Sequence, residues 1–164
     1  MKSVRYLTFE DFAIIIEEYR NHFKNFSDPL PDMTSCHTEK LESIIAIPQK
    51  TFSGKDLYSS LYEKAACYFY FINKLHPFYN GNKRMSVFVT TIFLMMNGME
   101  LKYDNEQMYA LAKSVTLSDH DQTKKMKALS HDLKKHARRM GDPWAPLRNT
   151  WYLVTSLFKS THRR

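Results

Sequence analysis

A chain of 164 residues that is 43% hydrophobic, with four Gly and six Pro, can form one globular core and is neither disordered nor fibrous. Its two cysteines, Cys36 and Cys67, belong to no CxxC or Cys–His spacing, which argues against a disulfide framework or a zinc site. The first residues lack the apolar stretch of a signal peptide, and the uncharged segment 85–98 is too short to cross a bilayer. We therefore expect a cytoplasmic protein with no membrane partner.

Helical spacing dominates the first part of the chain. Thr8 and Asp11 have the spacing of a capping box, and the apolar residues that follow predict a helix through Phe23. Residues 27–32 are rich in turn formers and predict a loop, and residues 38–46 predict a short helix.

The polar, turn-rich segment 48–55 predicts a short extended flap between two helices. Asp56 is the predicted cap of the helix that follows the flap, because its carboxylate can accept hydrogen bonds from the free N–H groups at the start of that helix. This helix should end near Leu75, since Pro77 disfavours helical geometry at the residue before it. Its predicted inward stripe consists of Leu57, Leu61, Ala65, Phe69, Ile72 and Leu75.

In the next segment, 85–96, apolar residues lie on almost every side of the predicted helix, which indicates that the helix is buried. Asn97-Gly98 is expected to end it. Asp104 should cap a helix through about Val115. Two further helices are predicted, at 123–140 and 148–158. Together these elements predict an all-α fold, a helical bundle with a short β-hairpin flap near residues 48–55.

The net charge of +7 is concentrated in the tail. Residues 1–117 carry 13 basic and 13 acidic side chains, whereas residues 118–164 carry 11 basic and 4 acidic ones. We therefore divide the chain into a main domain at 1–117 and a basic helical extension at 118–164 packed on the same domain. The extension is either a contact surface for an acidic partner such as nucleic acid or, the reading we favour, a solvated helical face.

The segment 76–84, His-Pro-Phe-Tyr-Asn-Gly-Asn-Lys-Arg, carries the clearest chemical signal. It joins two predicted buried helices through a tight turn, so the free N–H groups of the second helix form an anion site suited to phosphate. Lys83 and Arg84 in that first turn oppose the helix dipole, which makes sense if an anion is bound. His76 could then take a proton from an incoming hydroxyl. The alternative from these features alone is an ordinary helical corner with an exposed histidine.

The order of these residues resembles the HPFx(D/E)GN(G/K)R signature of the Fic/Doc family, with Asn80 as the departure. The segments 5–8, 50–58 and 63–66 also look like the death-on-curing (Doc) branch of that family. The resemblance covers about residues 4–117 and implies a Fic-type helical bundle that binds a nucleotide.

The resemblance also implies a role for each residue of the site. His76 would be the general base, Phe78 would plug the core, and Lys83 and Arg84 would act in transfer. Gly81, Asn82, Lys83 and Arg84 would bind phosphate, the first three through backbone amides and Asn82 and Arg84 also through their side chains. The flap would clamp a target segment as an added strand, through Lys50, Thr51, Phe52 and Ser53.

The cofactors implied are ATP and Mg²⁺. Asn80 stands where the family usually has an acidic Mg²⁺ ligand, and its neutral amide oxygen is a weaker ligand for a hard cation. We therefore expect Mg²⁺ to depend mainly on the nucleotide phosphates and water. No inhibitory (S/T)xxxE(G/N) motif is complete in the chain, so restraint by a separate antitoxin is favoured.

Three functions follow from the resemblance and from its departures. The first is a Doc-like toxin that transfers phosphate from ATP to a hydroxyl of a target protein, with elongation factor Tu as the suggested target. The second is a Fic-type AMP-transferase. The third, favoured by Asn80 and the basic tail, is a catalytically silent nucleotide- or nucleic-acid-binding module.

Overall fold

The computed structural model describes residues 3–23, 31–117 and 121–141, and these form a helical body with two small antiparallel strand pairs. The helices are α1 (Phe9–Phe23), α2 (Thr38–Ala46), α3 (Leu61–Leu75), α4 (Asn82–Met96), α5 (Asn105–Thr116) and α6 (Gln122–His136). The strands are β1 (Thr51–Phe52), β2 (Lys55–Asp56), β3 (Met99–Leu101) and β4 (Ala137–Arg139). The predicted helical bundle with a hairpin flap is confirmed.

Helix α3 lies at the centre of the body, where it packs against α2, α4, α5 and α6. Its residues from Lys64 to Tyr70 are all buried, so it is enclosed on nearly every side. Helix α4 is the other central helix and buries nine of its residues, as its all-round apolar pattern predicts. The two helices therefore hold the segment that joins them, residues 76–81, against a rigid core.

Three of the predicted helix caps can be compared with the structure. Thr8 and Asp11 exchange hydrogen bonds between side chain and backbone N–H at 3.0 and 3.1 Å, and Asp104 caps α5 in a box with Gln107. The predicted cap at Asp56 is wrong, because α3 begins after Ser60, whose hydroxyl accepts from the Glu63 N–H at 3.1 Å. Leu57 then lies outside the helix and is exposed, so its place in the apolar stripe is also wrong.

The helix predicted at 123–140 is shorter than its apolar pattern suggests. Met126, Leu129 and Leu133 are buried in the common core, but α6 ends at His136. Ala137 is buried from strand β4, which pairs with β3 in the register Met99↔Arg139. The predicted end at Met140 is therefore wrong, because β3 pairs with this strand and ends the helix early.

The structure describes only part of the predicted extension at 118–164, namely residues 121–141. Helix α6 packs on α3, whereas the helix predicted at 148–158 lies outside the described residues. The division at residue 117 stays a prediction. Across the described ranges, we find no helix with both the length and the apolar character needed to span a membrane.

Candidate active site

His76 occupies the turn at the carboxyl end of α3. The helix ends at Leu75, and His76 adopts left-handed geometry with φ 48° and ψ 66°. Histidine tolerates this region better than most residues, and the following Pro77 disfavours continuing the helix. Pro77 is buried and its carbonyl accepts from the His37 N–H at 2.7 Å, whereas His76 is exposed. The imidazole thus stands at the surface on a fixed turn, within reach of an incoming group.

Phe78 fixes the middle of the loop in the core. Its side chain is 2% exposed, in keeping with the predicted plug. Its N–H donates to the Asn82 side-chain oxygen at 3.0 Å, and its carbonyl accepts from the Asn82 amide nitrogen at 2.6 Å. The Asn82 side chain is therefore turned inward and holds the loop shut, where the resemblance implied a contact with phosphate. Its backbone N–H, in the first turn of α4, remains a predicted anion donor.

Gly81 is the N-cap residue just before α4 and has left-handed geometry, with φ 76°. No side chain caps this helix end, and its first turn holds no acidic residue. The free N–H groups and the positive end of the dipole therefore favour a bound anion. A Cβ on Gly81 would lie 3.5 Å from Nη2 of Arg84, so the guanidinium reaches back over the glycine. Lys83 is exposed beside it, and both cations suit a phosphate-binding role.

A second wall of the site comes from the segment after α1. A Cβ on Gly81 would lie 3.1 Å from Cδ of Pro31, which is tighter than ordinary packing allows. Nη1 of Arg20, on α1, donates to the Pro31 carbonyl at 3.2 Å and to the Asp32 carboxylate at 2.6 Å. Hydrogen bonds from Thr34, first from its backbone N–H, and the charge of Arg20 hold the pKa of Asp32 below its usual value. Arg20 therefore clamps Pro31 against the glycine.

A buried polar chain supports the first turn of α4 from behind. Ser86 donates to the Lys83 carbonyl at 2.7 Å and accepts from the Asn73 amide nitrogen at 2.5 Å. The Asn73 side-chain oxygen accepts from the Thr116 hydroxyl at 3.3 Å. Because Asn73 lies on α3 and Thr116 on α5, three helices fix the position of the loop.

Asn80 is half-buried between Tyr79, which is 81% exposed, and Gly81. Within the described ranges, no group of three or more His, Cys, Asp or Glu side chains is arranged to hold a metal ion. The role of Asn80 as a weak ligand for Mg²⁺ stays a prediction.

The flap is a two-stranded hairpin with the register Thr51↔Asp56 and Phe52↔Lys55. Ser53 and Gly54 form its tip, both with positive φ, 50° and 73°, as a tight hairpin turn requires. Every side chain from 50 to 57 is exposed, and Phe52 is 75% exposed. The predicted flap residues therefore form an exposed strand edge. The flap contacts the start of α3 through Lys64, whereas His76 follows the last turn of the same helix.

Sequence reasoning missed several residues that position the site. These are Asn82 as a loop brace, the Arg20–Asp32 clamp on Pro31, the Asn73–Ser86 pair, and Lys64, whose ammonium donates to Asp56 of the flap. A signal existed for Lys64, because it lies inside an apolar helical run where a solvated lysine is not expected. The Arg20 clamp had no local signal, because it joins residues from separate segments.

Comparisons with known proteins identify the family of this chain. The model of the family described as Fic/DOC matches residues 6–94, which include the flap, His76 and the first turn of α4. A curated protein named Toxin Doc, from Mycolicibacterium smegmatis, is 36% identical over 64 residues. That match covers 39% of this chain and 49% of the toxin, so it spans about half of the relative's length. No solved structure matches the chain. The family match covers more than half of the residues, and the chain belongs to the Fic/DOC family.

Proposed function

We propose that this chain is a Doc-like toxin that transfers phosphate from ATP to a hydroxyl of another protein. The observation that carries the proposal is the start of α4, where a left-handed glycine leaves the helix end uncapped and two cations border it. Family membership and the likeness to a toxin support the same reading.

The residues of the loop divide the reaction between them. The target hydroxyl oxygen attacks the terminal phosphorus of ATP, the bond from that phosphorus to the ADP oxygen breaks, and His76 accepts the hydroxyl proton. The N–H groups of residues 81–83 and the Arg84 guanidinium stabilise the charge on the phosphate oxygens. These donors are held in place by the core, so little reorganisation is needed during transfer.

Lys83 supports phosphate transfer rather than AMP transfer. AMP-transferring members of the family usually have Gly at this position, which leaves room for the inner phosphates. Here a lysine adds bulk and a point charge beside the helix end. We infer that the terminal phosphate, rather than the α-phosphate, faces His76. AMP transfer is the alternative within the same site.

Mg²⁺ enters this scheme with the nucleotide. It would neutralise part of the phosphate charge, and Asn80 could reach it through its amide oxygen or through water. The remaining ligands would be phosphate oxygens and water, which are the ligands Mg²⁺ commonly keeps in nucleotide sites.

A separate antitoxin and a translation factor are the proposed partners. Glu63, one of the glutamates with the spacing of an inhibitory motif, accepts hydrogen bonds from the Ser59 hydroxyl and the Ser60 N–H. It caps α3 and so does not restrain the site, which favours inhibition by another chain. A target such as elongation factor Tu would place the activity in the cytoplasm.

The proposal is tested by mass spectrometry of candidate targets, including elongation factor Tu, after incubation with the protein, ATP and Mg²⁺. We expect the mass of one phosphate to be added to a Ser, Thr or Tyr of a target. Addition of AMP would support the alternative transferase, and no addition to any candidate would contradict both.

A second function, nucleic-acid binding, is suggested by one face of α6. Met126, Leu129 and Leu133 of this helix are buried, and the side of α6 away from them is exposed and basic. The exposed basic residues there are Lys124, Lys127, Lys134 and Lys135, and Arg138 of β4 is exposed as well. A row of this kind can neutralise several phosphates of a nucleic acid.

If this face binds RNA or DNA, affinity should fall steeply with salt, because each neutralised phosphate releases a counterion. Replacing Lys127 and Lys134 with Gln should lower both the affinity and the slope of its salt dependence. A gel-shift or anisotropy titration at several salt concentrations measures both. Absent or salt-independent binding would leave a solvated face as the explanation.

A further inference from the structure

Lys64 lies in the first turn of α3, where a lysine would ordinarily extend into solvent. Its side chain is only 2% exposed. Charged side chains are rarely buried unless they are paired, because desolvation is costly. The contacts of this ammonium group therefore need an explanation.

The Lys64 ammonium contacts the chain at both ends of the flap hairpin. Nζ of Lys64 donates to the Asp56 carboxylate at 2.8 Å, and Asp56 lies on β2. Nζ of Lys64 also donates to the carbonyl oxygen of Pro48 at 3.4 Å, and Pro48 lies in the turn that precedes β1. The Tyr6 ring completes the surroundings, with its centroid 5.4 Å from Nζ. One buried cation thus joins the two ends of the hairpin to the central helix.

Besides these contacts, a backbone bond ties the hairpin to the body, from the Lys50 N–H to the Ile47 carbonyl at 3.2 Å. The hairpin's side chains from 50 to 57 are exposed, so it contributes no apolar group to the core. Isolated two-stranded hairpins are marginally stable in water. Its backbone closure includes the bond from the Leu57 N–H to the Lys50 carbonyl at 2.9 Å, which fixes the hairpin's shape but not its angle to the body.

We propose that Lys64 is a positioning residue that sets the angle of the flap for docking of the protein target. This inference rests on the proposed function, in which the flap receives a target segment as an added strand. Strand addition depends on a preformed edge, since ordering a loose edge on binding lowers affinity. Because one buried ammonium holds both ends of the hairpin, the hairpin presents a preformed strand edge. Phe52 is exposed on this edge.

The test compares Lys64→Met and Asp56→Asn with the wild-type protein. Met keeps the length and apolar stem of the lysine but removes the charge, and Asp56→Asn changes a half-exposed residue that is not part of the core. We expect each variant to raise the KM for the protein target about tenfold, equivalent to roughly 1.4 kcal/mol of docking free energy. The KM for ATP and the kcat at saturating target should stay within about twofold. Lys64→Arg should recover part of the loss.

Hydrogen exchange gives a readout that does not depend on activity. The flap amides, above all that of Leu57, should exchange about tenfold faster in both variants, while the amides of α3 and α4 keep their protection. Lys55→Met, which removes an exposed lysine from the same hairpin, is the matched control and should leave flap exchange unchanged.

The outcomes separate this inference from the proposed function. Unchanged flap exchange in both variants would overturn the anchoring role, whether or not transfer occurs. Faster flap exchange with an unchanged KM for the target would overturn the docking role. A wild-type protein that modifies no target would contradict the proposed function, while the exchange result would still decide whether Lys64 holds the flap.

Discussion

Replacing His76 with Ala should lower the transfer rate by about 10²–10⁴-fold, the usual contribution of a general base. The imidazole is exposed on the loop that leads into the uncapped end of α4, where the proposal places the target hydroxyl. Nucleotide affinity should change little, because the predicted phosphate contacts come from residues 81–84. Single-turnover transfer and nucleotide titration by calorimetry measure the two quantities.

A second variant and a control make this test specific. His76→Asn tolerates the left-handed geometry of the turn but is a very poor proton acceptor, so it should lose transfer as Ala does. His131→Ala removes an exposed histidine on α6 and should retain full transfer. Transfer at the wild-type rate by either His76 variant would remove this residue from the mechanism.

Gly81→Ala should nearly abolish nucleotide binding. Alanine disfavours the positive φ at this position by roughly 1–2 kcal/mol, and its Cβ would lie 3.1 Å from Cδ of Pro31. Because Arg20 holds Pro31 in place, relief would have to come from movement of the loop at Gly81. This movement would displace the backbone N–H groups predicted to bind phosphate. Calorimetric titration with ATP measures the loss.

Gly98→Ala is a close matched control for this effect. Gly98 also has positive φ, 77°, but a Cβ there would meet no atom within 4 Å. Both variants should lower the free energy of unfolding through backbone strain, whereas only Gly81→Ala should also lose nucleotide affinity. Equal nucleotide affinity in the two variants would contradict the placement of the anion site at Gly81.

Local sequence signals predicted the elements whose causes are themselves local. Pro77 marks the end of α3, a turn-rich stretch marks the flap, and the Asp104 capping position marks the start of α5. The start of α3 differs from the prediction at Asp56, because the capping box of Ser60 and Glu63 begins the helix later. Asp56 does not cap the helix, since its carboxylate accepts from Lys64.

Features that depend on distant partners could not be predicted in this way. The end of α6 is set by pairing between β4 and β3, and no periodic pattern within residues 137–139 reveals that partner. The inward turn of the Asn82 side chain depends on the conformation of Phe78, and the wall at Pro31 depends on Arg20. The residues of the loop could be identified from their order in the sequence. Only the folded structure shows that the Asn82 side chain holds the loop in place through its bonds to Phe78.

Transfer from ATP labelled at one phosphate tests the central claim most directly. The wild-type protein is incubated with Mg²⁺ and a target identified by mass spectrometry, once with ATP labelled at the γ position and once with ATP labelled at the α position. The Lys83 side chain beside the helix end predicts that label reaches the target only from the γ position. Label reaching the target from the α position alone would contradict phosphate transfer and establish AMP transfer in its place.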